Sequence, residues 1–94
     1  MITINAITRH NCGKSSSKKL RKNNKTPAII YGNNIKPIHI IIMQNEIINK
    51  KNNKDFYSIL NLILDKKKIK VKIQDIQYHP FKNKFVHIDF IIIN

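Results

Sequence analysis

Isoleucines fall at every second position in several short stretches of this chain, a period of two that marks half-buried β-strands. In MITINAIT, Ile2, Ile4 and Ala6 alternate with Thr3, Asn5 and Ile7, which predicts a first strand with one buried face. PAIIYG predicts a second strand closed by Gly32, NNIK a turn, and PIHIIIM a third strand. Pro37 stands at the start of that third strand, where a missing N–H is tolerated. DFYSILNLIL predicts the fourth strand, DKKK a turn, IKVKIQDIQYH the fifth strand, HPFKNK a turn, and FVHIDFIII the sixth. In the fifth, Ile69, Val71 and Ile73 face one way, and Lys68, Lys70, Lys72 and Gln74 the other. The phase then breaks, because Ile76 falls on the lysine parity. A β-bulge near Gln74–Asp75 returns Ile76 to the core.

Two stretches lack this alternation. SSSKKLRKNN predicts a short helix with Ser15 or Ser16 as its N-cap, Asn23 or Asn24 at its left-handed end, and Pro27 soon after. Its one large apolar residue is Leu20, so it buries little and is marginal by itself. QNEIINKKNN predicts a second short helix, with Glu46 near its start and Lys50 and Lys51 near its end, as the helix dipole favours. The expectation is a mainly β chain with short helices (α+β): a six-stranded antiparallel β-barrel with two short helices, one domain over residues 1–94. A chain of this length has a thin core.

Charge narrows the choice of partner. Eighteen Lys and Arg against five Asp and Glu give a net charge of +13, and such a surface must find counter-charge in nucleic acid, an anionic membrane or an acidic protein. The longest apolar runs are far short of the ~20 residues that span a bilayer, so no membrane is expected. The lone Cys12 fits a reducing cytoplasm. Lysines number sixteen and arginines two, and the over-use of Ile, Asn and Lys follows A+T-rich codons. Positions therefore say more than totals.

Three places carry candidate chemistry. Lys18, Arg21 and Lys22 share one face of the first predicted helix, with Lys14 ahead of it. This is either a solvated surface or a face for phosphates. Tyr31, at a strand end beside Gly32, is either a core residue or a ring that stacks on a base. His87 and Asp89 of HIDF project from one face of the last strand, with Asp75 and Gln77 on the polar side of the fifth and Tyr78 with His79 extending it. A structural His–Asp hydrogen bond, catalysis, metal binding and base recognition compete for that pair. Catalysis lacks a nucleophile motif or a second acid, and the histidines and Cys12 do not form a metal-ligand set. No enzyme activity, metal or cofactor is expected. A carboxylate accepts only, so on an RNA-facing surface it selects base N–H groups over phosphates.

TINA, GK-S-S-KKLR, TPAIIYG, KVKIQDIQYHPFKNK and HIDF, in this order, resemble the bacterial large-subunit ribosomal proteins that bind 5S rRNA. The longer general-stress protein CTC belongs to the same family. The resemblance spans the whole chain. It implies a barrel docked on the loop E region of 5S rRNA in the large ribosomal subunit, a cytoplasmic location, and a monomer when free. The contacts it implies are Arg9, Lys14, Ser17, Lys18 and Arg21 in the N-terminal cluster, Tyr31, then Gln74, Asp75 and Gln77, and finally His87 and Asp89. Residues 9–25 are then expected to be partly disordered until RNA holds them. Lysine in KKLRK gives a point charge where arginine would give a fork, and Tyr78 stands where the family often has a basic residue. Two other classes remain open: an assembly module without RNA specificity, and a small hydrolase using His87 and Asp89.

Overall fold

The computed structural model describes residues 2–9, 22, 24–32, 34–48, 50, 53–81 and 84–93. Along these the chain forms β1 (Thr3–Thr8), β2 (Lys25–Gly32), β3 (Ile35–Met43), α1 (Gln44–Ile48), a 3-10 turn (Lys54–Tyr57), β4 (Leu60–Leu64), β5 (Lys67–Tyr78) and β6 (Phe85–Ile92). The strands close into a barrel in the order β1-β3-β2-β6-β5-β4. Apart from Lys22 and Asn24 the first predicted helix lies outside the described residues, as do Lys14, Ser17, Lys18 and Arg21 and the expectation of partial disorder there. Asn24 does adopt the left-handed conformation, at φ 62°.

The barrel is mixed, not antiparallel. β1–β3, β2–β3, β4–β5 and β5–β6 pair antiparallel, while β1–β4 and β2–β6 pair parallel. Direction explains the difference. Each half of the barrel is a group of three antiparallel strands, so the two outer strands of each group point the same way. Closing one such group on another makes the two seams alike, and with the two groups oriented the same way both are parallel.

Alternation fills the interior. Ile4, Ile30, Ile40, Leu62, Val71, Ile88 and Phe90 are all essentially buried, from inward positions of all six strands. The β4–β5 connection uses two residues, Asp65 and Lys66, both at positive φ, the signature of a tight primed turn that matches strand twist. The Asp65 carboxylate accepts a hydrogen bond from the Thr8 hydroxyl at 3.1 Å. Pro27 precedes the first β2–β6 pair, Ala28–Ile88, so its missing N–H interrupts no bond to β6. Pro37 is the third residue of β3, opposite the register shift between Ile30 and Gly32.

Two predicted elements come out shorter. α1 keeps five residues of the ten expected. The fourth strand begins at Leu60 and not at Asp55, because the Asn53 side chain accepts from the Asp55 N–H at 3.0 Å and starts a 3-10 turn. That turn drives Phe56 into the core, fully buried and 6.4 Å from the Phe85 ring.

α1 ties both halves of the barrel together. Gln44, 3% exposed, donates to the Phe85 carbonyl at 2.8 Å and accepts from the Phe85 N–H at 3.2 Å. On the outer side Glu46 accepts from Asn5 at 3.1 Å and pairs with Lys50 at 2.9 Å, while Lys50 also donates to the Thr3 carbonyl at 2.7 Å. The Lys50 and Asn5 bonds hold the Glu46 carboxyl below its usual range, against a smaller opposing effect of burial.

Two outcomes are expected. Gln44→Leu removes both bonds to Phe85 and leaves buried backbone groups unpaired, so urea denaturation should show a loss of about 1–3 kcal/mol. Glu46 has a depressed folded-state pKa, so its contribution is lost as pH falls toward the lower folded value and is fully present only above the usual glutamate value of 4.5. Melting curves between neutral and acidic pH should therefore fall less steeply below that value in Glu46→Gln than in the parent chain.

Candidate nucleic-acid interface

HIDF is split by the pleat of β6. Ile88 and Phe90 point inward, 1% and 0% exposed, which sends His87 and Asp89 outward. The expected bulge lies on β5 between Ile73 and Asp75. Past it, Ile76 pairs with Ile88 and packs against the core, while Asp75 stands opposite Asp89 and Gln77 opposite His87. A one-residue slip exchanges the faces of a strand. Without the extra residue, Asp75 and Gln77 would face the interior. Gln74, Asp75 and Gln77 are all exposed.

The neighbouring strands extend this surface into a band. On β2, Ile29 pairs with Asp89 and Tyr31 with Ile91. On β3, His39 pairs with Ile29, and the Arg9 N–H just beyond β1 donates to the His39 carbonyl at 2.8 Å. Arg9, His39, Ile29, Asp89 and Asp75 thus lie on one level across five adjacent strands. The Arg9 side chain is only 9% exposed, so it supports the band more than it projects from it. Lys14, Ser17, Lys18 and Arg21 lie outside the described residues. His39, exposed on this band, was not singled out from sequence, although its place out of phase among the isoleucines of PIHIIIM signals an outward side chain.

Within the band, His87 Nδ1 lies 3.0 Å from Asp89 Oδ1, and both side chains are about a third accessible, at 35% and 32%. The His–Asp contact therefore exists, but at the surface. With Nδ1 donating to the carboxylate, Nε2 of a neutral ring is left as an acceptor, and protonation makes it a donor. Asp75 accepts the Ile76 N–H through Oδ1 at 2.9 Å, which satisfies the bulged backbone and leaves its second oxygen for another donor. Burial, then the negative charges of Asp89 and Asp75, raise the Tyr31 phenol above its usual range. It stays protonated at neutral pH and can donate.

Tyr78 does not join the band. Its ring packs 4.9 Å from Phe85 and its hydroxyl lies 3.2 Å from that of Tyr57, at one end of the barrel. His79 instead organises the next turn, accepting from the Phe81 N–H at 3.1 Å. Among the described residues, no three His, Cys, Asp or Glu side chains gather as a metal site would require, and no helix is long and apolar enough to cross a membrane.

The family model of the ribosomal L25p family matches residues 4–90. The chain is 47% identical over 92 residues to the large ribosomal subunit protein bL25 of Photorhabdus laumondii subsp. laumondii, covering 97% of this chain and 98% of the relative. Its identity to the bL25 protein of Proteus mirabilis is 46% over 92 residues, with the same coverage. The protein is thus a ribosomal protein, a structural constituent of the cytoplasmic large subunit and not an enzyme. The chain belongs to the ribosomal L25p family.

Gly32 holds Tyr31 in place beside the band. Its φ is +114°, and an added Cβ would meet Ile91 Cγ1 at 3.3 Å and the Ile92 nitrogen at 3.4 Å. Gly32→Ala should therefore cost about 1–3 kcal/mol in urea denaturation through backbone strain and crowding.

Proposed function

We propose that the outward band binds the loop E region of 5S rRNA, and that Asp75, Asp89, Gln77, His87 and Tyr31 read base and sugar edges there. One observation carries this reading. Two of the five carboxylates in a +13 chain stand directly opposite each other on the barrel surface. Like charges so placed weaken a sheet. Neither serves phosphate attraction, which favours cations. Carboxylates are useful against RNA where donors must be met, and base amino and imino groups are such donors.

The other groups complement them. Gln77 both donates and accepts, the Tyr31 hydroxyl donates, and His87 offers Nε2. Most base reading in RNA is confined to exposed or irregular helices, because the major groove of a regular A-form duplex is too narrow for side chains. A flat band of short polar groups suits a widened, shallow groove. Gln74, the bulge residue, extends the same edge. Lys14, Ser17, Lys18 and Arg21 supply phosphate and sugar contacts from the N-terminal cluster, and Arg9 braces the far side of the band near His39. The protein acts as a monomer before assembly.

Asp89→Asn tests the reading. The amide keeps one acceptor and adds a misplaced donor, so affinity for a loop E fragment should fall by about 1–3 kcal/mol. Affinity for a plain duplex should hold or rise slightly, because a negative charge is lost. If Asp89 serves only to fix the fold, the variant melts several degrees lower and loses both affinities in proportion. Filter binding to the two RNAs, with a melting curve, separates these results.

A further inference from the structure

The first half of β5 carries a different chemistry from the second. Ahead of the bulge, Lys68, Lys70 and Lys72 are all exposed, while Val71 is buried and Ile69 packs against the core. We infer that these three lysines form a ridge that binds the sugar–phosphate backbone of an RNA strand without reading its sequence, separately from the polar band beyond Gln74.

The ridge is regular. Alternate positions on a strand are about 6.7 Å apart, so the three ammonium stems leave the sheet in an evenly spaced row. It is also uncompensated. The cross-strand neighbour of Lys68 is Ile63, that of Lys70 is Asn61, and that of Lys72 is Ile91. None can supply negative charge. Among the described residues, none of the three lysine side chains has an ion-pair or hydrogen-bond partner. Of the carboxylates around the ridge, Asp65 at the turn already accepts from Thr8, Asp75 lies beyond the bulge, and Asp89, diagonal to Lys72 across β6, is engaged by His87. Like charges at this spacing sit within the ~10 Å screening length at 0.1 M salt, so they repel one another.

The chemistry of the ridge selects its partner. Ammonium groups only donate, and a row of donors without a single acceptor cannot discriminate base edges. An evenly spaced row of point charges matches a polyanion with an even repeat better than the irregular carboxylates of a folded acidic protein. Phosphate contacts orient a nucleic acid and base contacts specify it. β5 divides these two tasks at its bulge. Lys72 pairs with Ile91, which pairs with Tyr31, so the ridge starts at the edge of the band. Lys70 and Lys68 carry it away toward the β4–β5 turn, where it stays open to a further stretch of RNA backbone when the band is occupied.

The test compares two triple variants of the full chain with equal loss of charge. One is Lys68→Gln, Lys70→Gln, Lys72→Gln; the control is Lys36→Gln, Lys54→Gln, Lys84→Gln, spread elsewhere on the surface. Each phosphate contact contributes about 0.7–0.9 units of salt slope. The ridge variant should thus lower the slope for a plain RNA duplex by about 2 units and weaken binding about tenfold or more at ~0.1 M salt. It should keep its melting temperature, and the control should lose clearly less affinity and slope. Equal losses in both variants would reduce the ridge to general charge and overturn the inference, as would an unchanged slope in the ridge variant. Polyglutamate of matched charge serves as a third probe. If it binds as tightly as RNA through the same lysines, an acidic protein surface is the occupant and not RNA. Preference for loop E over plain duplex, measured in the same series, reports only on the polar band, so either reading can fail alone.

Discussion

Pairing Ala28–Tyr31 with Ile88–Ile91 in parallel joins the two halves of this protein, and the placement of nearly every outward polar group follows from that register. Each half is an antiparallel group of three strands whose inward faces are apolar. Neither half alone could cover its core, and the thin interior of a 94-residue chain leaves little margin. The seam that closes the barrel also sets Ile29 beside Asp89 and Tyr31 beside Ile91. A shift of that seam by one residue would keep a barrel but turn β6 inside out, burying His87 and Asp89 and exposing Ile88 and Phe90. Register is held hard because the isoleucines on both sides demand it. The outward polar surface inherits its precision from the core.

The surface that results is electrically divided. Lysine dominates its charged groups, yet two carboxylates meet across the β5–β6 pair, with His87 against one and the Ile76 N–H on the other. His87 lies against Asp89, and Asp75 spends one oxygen on Ile76. Each carboxylate is thus oriented by a neighbour while keeping accessible acceptor capacity. An ordinary stabilising ion pair would have used lysine, which this chain has in abundance. Choosing histidine keeps the local charge low and leaves a second ring nitrogen in reach of a partner.

Much of this was legible in the residue pattern. The period of two located all the strands, and the phase break at Ile76 located the bulge, because a buried isoleucine cannot tolerate the lysine side. HIDF showed its own two faces for the same reason. Strand direction was not legible, since alternation describes faces and says nothing about neighbours. The start of β4 was missed because a single side chain, Asn53, recruits the Asp55 N–H and makes a turn of residues whose composition suits a strand. The sequence pattern puts Tyr78 on the polar surface, but an aromatic ring beside Phe85 gains more from packing than from solvent. His39 passed unnoticed among isoleucines, although its phase marked it as outward.

The position of β6 between β2 and β5 has a consequence for the order of events in folding. Before Phe85–Ile92 is made, β2 and β5 are both bare edges, and the Gln44 amide has no Phe85 backbone to meet. Pairings of such large sequence separation are slow to form, because loop closure precedes the contacts that reward it. A chain emerging from synthesis therefore holds one open five-stranded sheet with two bare edges, each able to recruit a foreign strand. The exposed lysines of β5 are already present during that interval. Mutual repulsion between nascent copies would keep those edges apart until the last strand slots into the gap.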